Sequence, residues 1–473
     1  MRRARFYSLV AALLAFGLLL STTSPARACG PFMLEAVFVH TVHPGYPLER
    51  FAGGRIGVVQ PTYARSYLYV AYRYLSGSGF TPDEQKALTS LWQDRLQFGW
   101  SAGDEVWLKT WLEARRKVVT QDPAPISVYR SREKPNEYES YLNCQKDSFD
   151  TAVATLSERI AKHGADSAHV RTWLEAQDQV FSNCAEGSLI PAELPSDADA
   201  LMRADRAYQI AAANFYATNF DEAKKRFESI AADSASPWRA NATYLVARTL
   251  ARKGSLGPPE QKQESLTGAE AQLRKILADK NLSSLHSASA RLLNLIRLRA
   301  HPAERLNELA QTLTSKTPNA NLKQDLWDYT VLLDGFLGED EAETRSATVP
   351  KEEDLTDWIA TFQDTSDAAK GHAVSQWQAS RSDATRSQPW LIAALSLIDG
   401  QHPRANELLV EAQKVNSRSA AFASARYHAI RLLIQTGKNT EARTLLDQTL
   451  KTERAHFDES ALNLLTGQRM LLA

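Results

Sequence analysis

The chain has 473 residues, 55 basic against 55 acidic, and 44% of its side chains are apolar. That apolar share excludes wholesale disorder, and the length leaves room for two or three domains or one long repeat array. Balanced charge without a basic cluster argues against a phosphate-neutralising surface, so no nucleic-acid partner is expected.

Residues 1–28 run from Met1-Arg2-Arg3-Ala4-Arg5 through an apolar stretch, Phe6 to Leu20, to Ala26-Arg27-Ala28. This charged, apolar, small-residue order is that of a secretory signal peptide cleaved after Ala28, which predicts a periplasmic or secreted protein. Cleavage would remove four arginines and no acid, leaving a mildly acidic chain with no transmembrane segment. Cys29 would then lead it, and Arg27 at the position where a lipid-attachment signal wants a small residue argues against a lipid anchor there.

In residues 29–140 two β-branched runs, EAVFVHTV and RIGVVQPT, flank Gly53-Gly54 and are expected to pair as short strands. Tyr63 to Leu75 is apolar nearly all round, the mark of a buried helix, and its tyrosines read as core packing rather than a platform for sugar rings. Thr81-Pro82-Asp83-Glu84 is a capping box with Pro at the first helical position. Leu88, Leu91, Trp92 and Leu96 then form the buried stripe, and Val106, Trp107, Trp111 and Leu112 begin another helix. Gln121 to Pro135, rich in Pro and charge, reads as a linker.

Residues 141–190 read as a helical hairpin. Phe149, Val153, Leu156 and Ile160 share one helical face, His163-Gly164 stops that helix, and Asp166 or Ser167 caps a second carrying Val170, Trp173, Leu174, Gln177 and Phe181. Antiparallel packing brings Cys144, at the entrance, beside Cys184, at the exit, and predicts a disulfide.

Beyond Pro191–Pro195 the period stays helical through 191–337, and again through 355–473. In Ala207 to Arg252, Ile210 and Ala211 form a large–small pair, Ala223 is the small residue between helices, Phe227 is the aromatic, and Pro237 closes the unit. Gly400, Ala405, Leu409 and Ala412, then Gly437, Ala442 and Leu446, keep the same Gly–Ala–large spacing, with Ala405 and Ala442 separated by 37 residues. These residues resemble the tetratricopeptide repeat, in degenerate copies: Thr218 replaces its turn Gly and Ala207 its early Trp. The resemblance implies an all-α, right-handed helical-repeat superhelix presenting a concave surface to protein or peptide partners. On that surface Tyr208, Asn214, Tyr427 and Arg431 are the candidate contacts.

Lys253 to Gly268 reads as a Gly/Pro/Gln-rich insertion, and residues 338–354 as an acidic loop that lacks the ligand alternation of a calcium site. There is no GxSxG elbow, HExxH helix or phosphate loop. His40 and His43, with Cys29 upstream, are the one compact ligand-like group, and on an extended segment the two histidines face opposite ways. No cofactor or metal is therefore expected. His428 is expected to be a seam residue with a hydrogen-bond partner. The expectation is a non-enzymatic scaffold for a protein partner in the bacterial cell envelope. The alternatives are a lipidated outer-membrane assembly component or an enzyme with its site in 29–140.

Overall fold

The computed structural model describes residues 43–96, 106–121, 123, 125–134, 137–337 and 349–472. Twenty α-helices and one two-stranded sheet lie among them. The helices are α1 Leu48–Ala52, α2 Arg65–Leu75, α3 Pro82–Leu96, α4 Val106–Arg116, α5 Lys146–His163, α6 Ala168–Ser182, α7 Ala200–Tyr216, α8 Phe220–Ala232, α9 Arg239–Leu256 and α10 Lys262–Ala278. They continue as α11 His286–Ala300, α12 Pro302–Thr314, α13 Leu322–Leu337, α14 Asp354–Gln363, α15 Asp367–Ala379, α16 Ser387–Leu397, α17 Ala405–Lys414, α18 Phe422–Gln435, α19 Asn439–Thr452 and α20 Glu459–Met470. The chain is all-α in class, and no helix of the described residues is long and apolar enough to cross a membrane.

Packing groups the chain into two compact units. One spans 80–360, where α5 through α13 each pack on the next and α3 packs on α13. The other joins residues 43–79 to residues 361–472. There α15 to α20 pack in succession, and α16 also touches α18, as α18 does α20, the contact pattern of stacked helix pairs. Chain order alone gave no sign that the aromatic helix α2 belongs with the C-terminal helices. It packs on α16, and both are buried nearly all round, so each supplies the other's apolar surroundings.

Local signals set several helix starts: Thr81, Ser167, Asp199, Ser366 and Asp458 each cap one. Thr81 N donates to Glu84 Oε2 (2.8 Å) and Glu84 N to Thr81 Oγ1 (3.3 Å), closing the capping box. Ser167, rather than Asp166, caps α6. The repeat-signature residues Ile210, Ala211, Ala223 and Phe227, like Ala405, Leu409, Ala412, Ala442 and Leu446, are all buried. Small residues there let neighbouring helices approach, and the large ones fill the space between.

Two expectations are corrected. The sheet is not formed by RIGVVQPT. That segment forms no ladder, with a bend at Val58 and a turn at Pro61–Thr62, and it is held by side chains: Val59 N donates to Ser424 Oγ (2.9 Å), and the Gln363 amide to Pro61 O and Tyr63 O (3.1 Å each). EAVFVHTV lies outside the described residues. The strands are β1 Tyr129–Lys134 and β2 Glu137–Leu142, antiparallel with Tyr129 opposite Leu142, within and just after the stretch read as a linker. Backbone pairing formed there without an alternating apolar face, and that face is what the sequence reading looked for. The supposed insertion Lys253–Gly268 is mostly helix, broken only around Gly257–Gln261. Its glycines mark close packing. A Cβ on Gly254 would sit 2.8 Å from Leu266 Cγ, so α9 and α10 touch where a side chain would hold them apart.

Four helix ends share one hydrogen-bond pattern around a residue of positive φ: Gly54 (+97°), Gly77 (+75°), Gly437 (+74°) and Thr218 (+66°). Thr218 is the exception, a β-branched residue in the left-handed region, which costs roughly 1–2 kcal/mol. Glycine's greater freedom in the unfolded chain costs about 0.4–1 kcal/mol. The strain is the larger effect. Thr218→Gly should therefore stabilise the protein by about 0.5–1 kcal/mol, read as a higher urea midpoint; a lower midpoint would contradict it.

Candidate functional site

One hollow gathers side chains from α5, α7 and α9, the first helices of three successive hairpins, and from α6 (Trp173, Gln177, Val180 and Phe181). Asp147, Thr151 and Thr155 from α5, Tyr208, Gln209 and Ala212 from α7, and Leu245 and Arg248 from α9 line a hollow of about 70 Å³. That is room for a few waters or one small side-chain group.

Its base is polar and rigid. Asp205 is 1% exposed and accepts a fork from Arg159, Nε at 2.7 Å and Nη2 at 2.9 Å, plus the Trp238 indole N–H at 2.8 Å. The bond to Asp205 holds the Arg159 guanidinium above its ordinary range, against the opposing effect of burial. Gln209 donates to Trp173 O (2.9 Å) and Gln177 Oε1 (3.3 Å). The Trp173 indole N–H, in the same lining, is buried with no acceptor. Arg248, also in the lining, reaches from α9 to Asp147 of α5 and to Gln145 Oε1 (2.9 Å). Burial alone would lower its pKa, and the Asp147 carboxylate overcomes that and raises it.

Tyr208 stacks on Trp238 with ring centroids 4.1 Å apart and meets Phe227 edge-on at 6.1 Å. Burial raises its phenol pKa. Asn214, 5% exposed, donates to Ile210 O (2.9 Å) and accepts from Asn219 Nδ2 (3.2 Å). Tyr427 is buried on α18, with its hydroxyl 3.4 Å from the Gln468 amide donor. Arg431 donates to Leu395 O (2.6 Å) and Ile398 O (2.9 Å), closing the C-terminus of α16. Tyr208 alone of these four lines the hollow, and the other three spend their polar atoms inside the helical framework. Buried His428 accepts from Arg431 Nε at 3.2 Å, as a seam residue should.

No protein-family model matches the chain, and neither a curated protein nor a solved structure does. Cys29 and His40 lie outside the described residues, and His43 contacts the neighbouring Pro44 O at 2.8 Å. Among the described residues no three His, Cys, Asp or Glu side chains gather as a metal site. Asp205, Arg159 and Arg248 escaped sequence reading because a lone charged residue in a helix looks the same whether it is solvated or paired across the fold.

A second cluster joins the ends of α5 and α6. His163 and His169 stack with centroids 3.8 Å apart and planes 15° apart, and both Nε2 atoms are buried without a partner. Burial first, then His163, lowers the His169 pKa below 6.5; Arg159 adds to this, while Asp199 and Asp205 oppose it. A lowered folded-state pKa means that the unfolded chain takes up the proton first. Stability should then be intact above pH 6.5 and decline as the pH falls below it. His163→Gln should flatten that decline in urea titrations between pH 7 and 5. An unchanged slope would remove the pair from the account.

Proposed function

We propose that the protein is an exported, non-enzymatic scaffold whose tetratricopeptide-like, right-handed superhelix binds a protein or peptide partner in the cell envelope. One observation carries the reading: α5, α7 and α9, the first helices of three consecutive hairpins, turn side chains into a single hollow that Trp173, Gln177, Val180 and Phe181 of α6 complete, and repeat scaffolds engage ligands with their first helices. The hollow offers a stacked aromatic pair, a bridging guanidinium and an unsatisfied indole N–H, a combination suited to seating one side chain with an acceptor group. Export is supported by the composition of residues 1–28 and by Cys144 and Cys184 at disulfide distance, a pairing that persists in oxidising compartments.

The test is site-specific photocrosslinking in cells with the full chain. A photoreactive residue at Thr151, in the hollow lining, should capture a defined partner, whereas one at the exposed Lys225 on α8 should not. Capture from Lys225 alone, or equal capture from both, would overturn the reading.

A further inference from the structure

The unit formed by 43–79 and 361–472 contains a cleft of about 880 Å³, in the size range of dedicated ligand sites and far larger than the hollow of the other unit. One wall comes from the segment Gly45–Tyr74, the other from the start of α18 and of α20 with their preceding loops. Three arginines line it: Arg50, Arg55 and Arg418, all exposed.

None of the three is held in an ion pair or side-chain hydrogen bond, although the Arg50 charge acts on Asp458 in the same lining. Of the 13 arginines among the described residues of this unit, nine are held by a carboxylate, an amide or a carbonyl. Four have no ion pair or side-chain hydrogen bond: Arg50, Arg55, Arg418 and Arg454. Three of those four converge on one cleft. Two acids share the lining, Asp458 and Glu459. Asp458 is already used: it caps α20 by accepting from Ala461 N (2.7 Å), and it lies so close to Gly57 that a Cβ there would be 2.7 Å from Oδ2. Tyr46, 61% exposed, and the buried Phe51, Tyr63 and Phe422 add aromatic surface to the same lining.

We propose that this cleft binds an acidic peptide segment of a partner protein, its carboxylates taken by Arg50, Arg55 and Arg418. The guanidinium is a planar fork that matches a carboxylate with two parallel hydrogen bonds, and it is desolvated more readily than an ammonium. Three such forks in a cleft of about 880 Å³, far more room than a single small anion fills, suit several acids on one peptide chain. The aromatic wall accommodates the residues between them. The assignment stands apart from the proposal for the α5–α7–α9 hollow, which lies in the other unit.

The experiment uses the purified full chain and a fluorescein-labelled peptide alternating Glu and Ala, with the Gln–Ala peptide of equal length as control. Anisotropy should show the Glu peptide binding at least about tenfold tighter, with affinity falling as salt rises. Arg55→Glu and Arg418→Glu should each weaken it by about tenfold. Arg418→Lys, which keeps the charge and loses the fork, should weaken it less but measurably. Lys225→Glu, the same charge change on an exposed residue of the other unit, should alter it less than about twofold. Equal binding of the two peptides, or equal loss in Lys225→Glu, overturns the proposal. So does displacement of the peptide by millimolar inorganic phosphate but not by glutamate, which would assign the cleft to a phosphate-bearing ligand.

Discussion

Asp205→Ala should destabilise the 80–360 unit by about 3–5 kcal/mol, the largest loss expected from any single carboxylate in it. The carboxylate is 1% exposed and satisfies three donors, two from Arg159 and one from Trp238. Its removal leaves the Arg159 guanidinium, 8% exposed, with Glu158, itself 71% exposed, as its remaining acidic partner. A buried cation without its counter-ion costs far more than the pair gains over apolar residues of the same volume. The double change Arg159→Met with Asp205→Leu should therefore recover most of what Asp205→Ala loses. Urea midpoints of the two variants decide the matter: a loss below about 1 kcal/mol in Asp205→Ala would mean that water reaches Arg159.

Cys144→Ser together with Cys184→Ser should cost about 4 kcal/mol, on the chain-entropy estimate for a closed loop of 40 residues. The two sulfurs, fully buried with Cα atoms 5.3 Å apart, clamp more than the hairpin ends. Beside them the Asn143 amide donates to Asn183 O (3.1 Å), Cys184 O (3.1 Å) and Tyr216 O (3.0 Å), while its own oxygen accepts from Arg252 Nη1 (2.6 Å). Arg130 of β1 donates to Ala185 O at 2.6 Å. Burial pulls the Arg252 guanidinium down to about 10, so its stay in this cluster depends on those acceptors keeping their places. Losing the clamp would loosen the carbonyls of Asn183, Cys184 and Ala185 together with that of Tyr216 at the end of α7. Thermal melts with and without reductant provide the measurement, and superimposable curves would show that the bridge is dispensable.

Short-range patterns were readable at sight. Spacings of three and four residues located the α5–α6 hairpin, and Thr81 with Glu84 located the start of α3. The paired cysteines followed from that hairpin alone. Glycine misled the reading at Gly254, because a residue that permits a turn also permits two helices to touch. Charged residues misled it at β1 and β2, where backbone pairing needed no apolar face.

The amino-acid order therefore settles most of the helices and the apolar face of each, because those properties depend on neighbours one turn away. It leaves open which charges meet. Arg159 finds Asp205 across 46 residues, Arg248 reaches Asp147 across 101, and Val59 bonds Ser424 across 365. It leaves open as well that the N-terminal aromatic helix packs among C-terminal ones, and that three unpartnered arginines share a cleft. Such pairings are selected only when apolar burial has brought distant segments together. The dry surroundings created at that step make a partnered charge tolerable and an unpartnered one expensive, and no local pattern records that difference.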